Sequence, residues 1–134
     1  MKKTVISSVL RLIVTVSLPI ALAGCLVPEQ PVAPPASPAQ LAAIRSQYRR
    51  ADPQARVGLV TAVLPSAHLA SVASVPVKDF TVGDIITFID SNQKILAMGH
   101  VETINPNSLT VRYDPPGKNG RDPASGDLAV RAIH

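Results

Sequence analysis

The sequence contains one cysteine, no tryptophan and only four phenylalanine and tyrosine residues among its 134 positions. A single cysteine excludes an intramolecular disulfide and every metal cluster that needs several thiolates. The scarcity of aromatic rings leaves little material for a large core, a surface that stacks bases or a cofactor slot. At this length the chain supports one domain of ordinary size, which excludes a multidomain enzyme.

The first 25 residues have the order of a bacterial secretory signal. A basic start, made of Lys2, Lys3 and Arg11, precedes an apolar run over residues 12–23. A membrane-spanning helix is the alternative, and it needs about 20 apolar residues. This run has 12 residues and contains Pro19, so the signal is the better interpretation.

The apolar run ends in Leu22, Ala23, Gly24 and Cys25. These four residues resemble the lipobox of bacterial lipoproteins at every position. The resemblance implies transfer of diacylglycerol to the Cys25 sulfur, cleavage between Gly24 and Cys25, and acylation of the new amino group in many Gram-negative bacteria. A buried free cysteine is the alternative. Because the only cysteine follows a signal-like run, we expect residues 1–24 to be removed and Cys25 to be a lipid anchor.

The formal charge of +4 suggests binding to nucleic acid. Removal of the signal takes away three cations, which lowers the 13 basic residues to 10 against 9 acidic ones. Non-specific DNA binding needs several phosphate-neutralising cations on one face, and a nearly neutral chain that is secreted out of the cytoplasm does not meet the chromosome. We therefore expect no nucleic-acid partner.

Residues 25–37 are rich in proline, which predicts an extended tether behind the lipidated cysteine. At about 3.1 Å per residue, such a tether reaches roughly 35 Å. A proline-rich ligand for a partner domain is the alternative, but no basic residue flanks the prolines.

A short amphipathic helix is predicted over residues 38–51. Ser37 and Gln40 form a capping box around Pro38, and helix-forming residues follow. The apolar positions Leu41, Ile44 and Tyr48 share one face. Asp52 ends the helix because the residue before a proline avoids helical angles.

Four basic side chains lie near the end of this helix: Arg45, Arg49, Arg50 and Arg56. One interpretation is a solvated helix end whose cations complement the helix dipole. The other is a contact for anionic lipid headgroups or for an acidic partner.

Six short β-rich runs follow, at residues 56–64, 68–75, 84–90, 94–104, 108–114 and 127–133. Turn sequences at residues 90–93 and 105–108 predict that the third, fourth and fifth runs form a meander. Residues 109–113 and 128–132 alternate with period two, which predicts strands with one face in water. Residues 55–134 therefore predict a mainly β domain, a closed or nearly closed barrel of five or six strands.

Four segments of this region resemble a small SH3-like barrel. They read Val57-Gly58-Leu59-Val60, Val82-Gly83-Asp84-Ile85, Gly99-His100-Val101 and Ser125-Gly126-Asp127-Leu128. A similar layout occurs in the C-terminal domain of flagellar assembly protein T and in uncharacterised envelope lipoproteins. The likeness covers residues 55–133 and concerns architecture. It implies no flagellar role, because barrels of this type host many functions.

The polar side chains form no recognisable catalytic or metal-binding set. The histidines, His68, His100 and His134, are scattered singly, and no serine has the context of a nucleophile elbow. Five aspartates near strand ends are interpreted as turn-makers whose carboxylates accept backbone N–H groups: Asp84, Asp90, Asp114, Asp122 and Asp127. The long polar stretch at residues 114–126, with Lys118 and Arg121, is the candidate binding loop.

The sequence thus predicts a non-catalytic, lipid-anchored envelope protein that uses no metal or cofactor and binds an envelope protein or the cell wall. Leu26 follows the cysteine, at the position where an Asp marks inner-membrane retention in enterobacterial-type sorting. Because Leu26 is not an Asp, the outer membrane is favoured, with the barrel facing the periplasm. A small cell-wall hydrolase, or an inhibitor that inserts the 114–126 loop into a hydrolase, is the alternative.

Overall fold

The structure, a computed structural model, describes residues 33–132. A single helix, α1 (Pro38–Ala51), precedes six strands. The strands are β1 (Arg56–Leu64), β2 (Leu69–Ala73), β3 (Ile85–Ile89), β4 (Ile95–Ile104), β5 (Leu109–Tyr113) and β6 (Leu128–Arg131). The strands form a closed antiparallel barrel in the order β1-β2-β5-β4-β3-β6, with β6 pairing back to β1. The predicted mainly β fold, with a small barrel and one helix, is confirmed.

The predicted meander of β3, β4 and β5 is also present, since β4 pairs with both of its neighbours in the chain. In the first turn, one Asp90 carboxylate oxygen accepts the backbone N–H groups of Asn92 at 2.8 Å and Lys94 at 2.9 Å. The second turn is closed by the Asn105 N–H, which donates to the Ser108 carbonyl at 2.8 Å. Local polar residues therefore set the register of the meander.

The inside of the barrel is filled by apolar side chains from all six strands. Tyr113 and Phe88 meet edge to face, with ring centroids 6.0 Å apart. The backbones of the paired strands β4 and β5 come close together at Gly99, where an added Cβ would collide with the Arg112 carbonyl oxygen. A residue without a side chain is needed at this close approach.

Helix α1 begins with the predicted capping box. The Gln40 N–H donates to Ser37 Oγ at 3.1 Å, and the Ser37 N–H donates to Gln40 Oε1 at 2.9 Å. The helix packs on the outer surface of the barrel through Ile44, which is 5% exposed and belongs to a second apolar cluster. Its partners in this cluster include Val57, Ile89, Leu128 and Val130.

This packing corrects the prediction that residues 128–132 form a strand with one face in water. All four residues of β6 are buried. Ala129 belongs to the cluster inside the barrel, whereas Leu128 and Val130 belong to the cluster under α1. The prediction was wrong because the helix covers the face of β6 that would otherwise meet solvent. Strand β5, by contrast, alternates between buried and more exposed residues as expected.

The chain reaches the barrel beside Gly126, which lies just before β6. Residues 33–37 form no helix or strand, and the Ala36 N–H donates to the Gly126 carbonyl at 3.2 Å. Pro35 lies against the same glycine. The signal peptide and the rest of the predicted tether lie outside the described residues, as do Leu22, Ala23, Gly24 and Cys25 of the lipobox.

Candidate functional site

A cleft of about 380 Å³ lies where the C-terminal half of α1 meets the start of β1. Three arginines line it, Arg45 and Arg49 from α1 and Arg56 from β1. Asp79, from a single turn of 3-10 helix at Val77–Asp79, is the one acidic side chain in the lining. Three cations thus face one carboxylate, and the lining carries an excess of two positive charges. We call this site the arginine cleft.

Arg45 is held in the wall of the cleft by backbone carbonyls. Its Nε donates to the Val57 oxygen at 3.0 Å, and its Nη2 donates to the Ser74 oxygen. Burial lowers the pKa of Arg45 below its ordinary value, and the positive charge of Arg49, one helical turn away, lowers this pKa further. The cleft therefore contains a partly desolvated cation beside a second cation.

Arg56 is fixed on the opposite side of the cleft. Its Nε donates to Asp79 Oδ2 at 3.0 Å, and its Nη1 donates to the carbonyls of Pro53 at 3.2 Å and Ala55 at 3.0 Å. The Arg49 side chain is exposed and makes no hydrogen bond or ion pair with any residue between 33 and 132. Two guanidinium groups are therefore anchored, and the third is free to move toward a ligand.

The structure separates the four arginines that the sequence placed together. Three of them line the cleft, whereas Arg50 is exposed outside it and its Nε donates to the Ser46 carbonyl at 3.4 Å. Sequence reasoning missed Ser74 and Asp79. Their contribution depends on the path of the chain after β2, which no local pattern reveals.

The predicted binding loop at residues 114–126 holds its two basic residues differently. Lys118 is exposed, beside a groove of about 580 Å³ that the loop forms with Ile95 and Met98 of β4. Arg121 instead turns inward, where Nη1 and Nη2 donate to the two Asp127 oxygens at 2.8 and 3.0 Å. The hydrogen bond to Asp127 raises the pKa of Arg121. The loop therefore does not present Lys118 and Arg121 as one basic surface.

The interpretation of the aspartates as turn-makers is confirmed for three of them. Asp84 accepts the Thr81 N–H at 2.9 Å, and Asp127 accepts the Ala124 N–H at 2.7 Å. Asp90 accepts two N–H groups in the turn between β3 and β4. These carboxylates have structural partners.

A largely enclosed arginine forms an ion pair near each end of strand β6. At one end lies the Arg121–Asp127 pair, and at the other Arg131 donates to the Gln54 carbonyl at 3.0 Å and to Asp84 Oδ2 at 3.3 Å. The Arg131 guanidinium also lies 4.6 Å from the centre of the Phe80 ring. The barrel interior is filled by apolar side chains, so the candidate ligand sites are the clefts on the outer surface.

Tyr113 is a fully buried tyrosine of the barrel interior. Burial raises the pKa of its hydroxyl, and the negative charge of Asp122 and a hydrogen-bonding interaction with it raise this pKa further. The hydroxyl oxygen is buried without a hydrogen bond of regular geometry. The His68 ring packs edge to face on Tyr113 at 5.4 Å. The Tyr113 ring therefore packs against both His68 and Phe88.

The structure describes two of the three histidines, and each has a different environment. His68 packs on Tyr113, His100 is exposed on β4, and His134 lies outside the described residues. Between residues 33 and 132, no three His, Cys, Asp or Glu side chains form a potential metal-binding group. No helix in this part of the chain is long and apolar enough to cross a membrane. No family model, curated protein or solved structure matches the chain.

Proposed function

We propose that this protein is a lipid-anchored cell-envelope protein whose small, non-catalytic barrel binds an envelope protein or the cell wall. The observation that carries the proposal is the position of the arginine cleft relative to the point where the chain enters the barrel. Residues 33–37 reach the barrel beside Gly126, and α1 then runs for 14 residues toward the cleft. A helix of that length spans about 21 Å. A chain anchored through its N-terminal part can therefore present the cleft away from its attachment.

The barrel suits a binding role because it offers a rigid outer surface. Its interior is filled by side chains, and ion pairs of Arg121 with Asp127 and of Arg131 with Asp84 lie near the two ends of β6. The resemblance to SH3-like barrels agrees with this role, since small barrels of that type support many binding functions through their surfaces. The lining of the arginine cleft carries three arginines and one aspartate, so its positive charge is not balanced within the cleft.

The anchor in this proposal is Cys25, preceded by the signal residues Leu22, Ala23 and Gly24. At about 0.8 kcal/mol per buried methylene, one acyl chain binds a membrane marginally, whereas two or three chains hold a protein there stably. With Leu26 after the cysteine, the outer membrane is the proposed location and the periplasm the proposed compartment of the barrel.

Metabolic labelling with a palmitate analogue tests the anchor. We expect the full chain to be labelled and Cys25→Ser to lose the label, because no other cysteine is present. Ser66→Ala, which alters an exposed turn, serves as the control and retains the label. Equal labelling of the wild type and Cys25→Ser would reject the anchor.

Two further measurements test the binding role. After crosslinking in intact envelopes, capture of the wild type should enrich a specific partner over an unrelated lipid-anchored protein. The purified protein should leave peptidoglycan intact. Release of soluble peptidoglycan fragments would instead support the hydrolase alternative and contradict a non-catalytic barrel.

A further inference from the structure

We propose that the arginine cleft binds a small dianion of the phosphate monoester class, through Arg45, Arg49 and Arg56. The inference rests on the proposed function in one respect, because it names the chemical group by which the barrel would recognise its partner. The charge and geometry of the cleft do not depend on the lipid anchor.

The first argument is charge. Three arginines line the cleft with a single carboxylate, that of Asp79, which already pairs with Arg56. A ligand with two negative charges balances this lining, whereas a ligand with one charge leaves a cation uncompensated. Arg45 and Arg49 stand four residues apart on α1, where like charges destabilise a helix. An anion between them removes this repulsion.

The second argument is preorganisation. Carbonyl oxygens of Val57 and Ser74 hold the Arg45 guanidinium, and Asp79 with the Pro53 carbonyl holds that of Arg56. Binding therefore orders few additional side-chain torsions. Guanidinium groups bind phosphate oxygens in a bidentate manner, with charge-assisted hydrogen bonds. Arg49 is free to complete the contact from the solvent side.

The third argument is size. The cleft volume of about 380 Å³ falls within the range of small-molecule sites. This volume exceeds that of a bare phosphate ion and leaves room for the organic group of an ester. The Ser74 residue, whose carbonyl accepts from Arg45, also lies in the lining and offers a hydroxyl group.

A membrane surface is the competing source of phosphate. The phosphodiester of a common anionic phospholipid carries one charge, which matches the cleft less well than a monoester does. The two cleft residues on α1, Arg45 and Arg49, also lie roughly 10 to 17 Å along the helix from its first residue, beside which the chain enters the barrel. Both observations favour a phosphate monoester, free or carried by a partner, over the surface of a bilayer.

The test uses the full chain purified in detergent and titrated with inorganic phosphate at about pH 8, where a phosphate group is close to doubly charged. Chloride keeps the ionic strength constant, and the arginine side-chain Nε–Hε signals in NMR spectra report binding. We expect saturable binding at one site, with the Arg45 and Arg56 signals shifting together. Acetate, a monoanion, should bind at least roughly tenfold more weakly than phosphate.

Arg49→Gln and Arg50→Gln form a matched pair, because the residues are adjacent on α1 and each substitution removes one positive charge. Only Arg49 lines the cleft. Arg49→Gln should weaken phosphate binding roughly tenfold, and Arg50→Gln should leave it unchanged. The Arg49 side chain makes no hydrogen bond or ion pair within residues 33–132, so we expect the variant to have the same thermal unfolding midpoint as the wild type.

Four results would overturn the inference. They are the absence of saturation, equal weakening by Arg49→Gln and Arg50→Gln, equal affinity for acetate and phosphate, and Arg49-dependent binding to phosphatidylglycerol vesicles without binding of free phosphate. The last result would assign the cleft to a membrane surface. Phosphate binding by a chain whose Cys25 takes no label would reject the anchor and leave this inference intact. A chain whose Cys25 is labelled but which binds no phosphate would support the anchor and reject this inference.

Discussion

Asp127 connects the long loop at residues 114–126 to the barrel. Its carboxylate receives two hydrogen bonds from Arg121 and one from the Ala124 N–H. The side chains of Arg121 and Asp127 are only 18% and 5% exposed. A pair so well enclosed is stable while both charges are present, and loss of one leaves the other buried without a counter-charge.

Asp127→Ala should therefore lower the free energy of unfolding by about 3 kcal/mol, the cost of leaving a buried charge unpaired. Urea denaturation followed by circular dichroism measures this change. Asp114→Ala is the matched control, because Asp114 begins the same loop but its side chain is exposed. A loss below about 1 kcal/mol for Asp127→Ala, the range of surface pairs, would show that solvent screens the pair.

The contrast between Arg121 and Arg49 shows what single residues reveal in the sequence. Arg121 stands in a polar loop and was interpreted as a binding residue, yet its charge is used internally by Asp127. Arg49 stands in a helix with three similar residues nearby, and the sequence left its role open. Arg121 is paired because the fold places the Asp127 carboxylate against it, whereas the Arg49 side chain has no such partner among the described residues. Composition and spacing alone could not distinguish the paired arginine from the unpaired one.

At the level of elements, α1 and β6 depend on each other. Ile44 is the buried residue of α1, and it packs in one cluster with Leu128 and Val130 of β6. This contact gives β6 its second buried face. It also positions the C-terminal half of the helix, which carries Arg45 and Arg49 to the cleft.

Ile44→Ala should lower the free energy of unfolding by about 3 kcal/mol, since it removes a buried side chain and leaves a cavity. Hydrogen exchange should accelerate at the β6 amides more than at the β4 amides, because β6 loses its cover. Ser46→Ala, at an exposed position of the same helix, is the control and should change stability by less than about 0.5 kcal/mol. Equal exchange at β6 in the wild type and Ile44→Ala would argue against helix cover as the reason for its burial.

Most elements were predictable because their signals are local. The capping box of Ser37 and Gln40 specifies the start of α1, and the turn residues around Asp90 and Asn105 specify the meander. The burial of β6 was not predictable, because it arises from a helix more than 70 residues earlier in the chain. The cleft was only partly predictable for the same reason, since Ser74 and Asp79 join the arginines through tertiary packing.

For the whole molecule, the order of the strands makes closure a long-range event. β1 pairs with its neighbour β2 and also with the last strand, β6. β6 also pairs with β3, so it is the strand that joins β1 to β3 and closes the barrel. The barrel therefore cannot close until β6 is in place, and contacts of this range are typical of slowly folding β proteins.

A chain that ends at Gly126 should consequently show no cooperative thermal transition. It lacks Asp127, the partner of Arg121, and it exposes the pairing edges of β1 and β3 to water. Differential scanning calorimetry and the dispersion of amide signals in NMR spectra measure the loss. A chain that ends at Ala132 retains all six strands and is the control, with one transition expected. Addition of a synthetic peptide of residues 127–132 should restore the transition to the shorter chain. A cooperative transition in that chain without the peptide would show that five strands suffice, and that closure by β6 does not determine the stability of the fold.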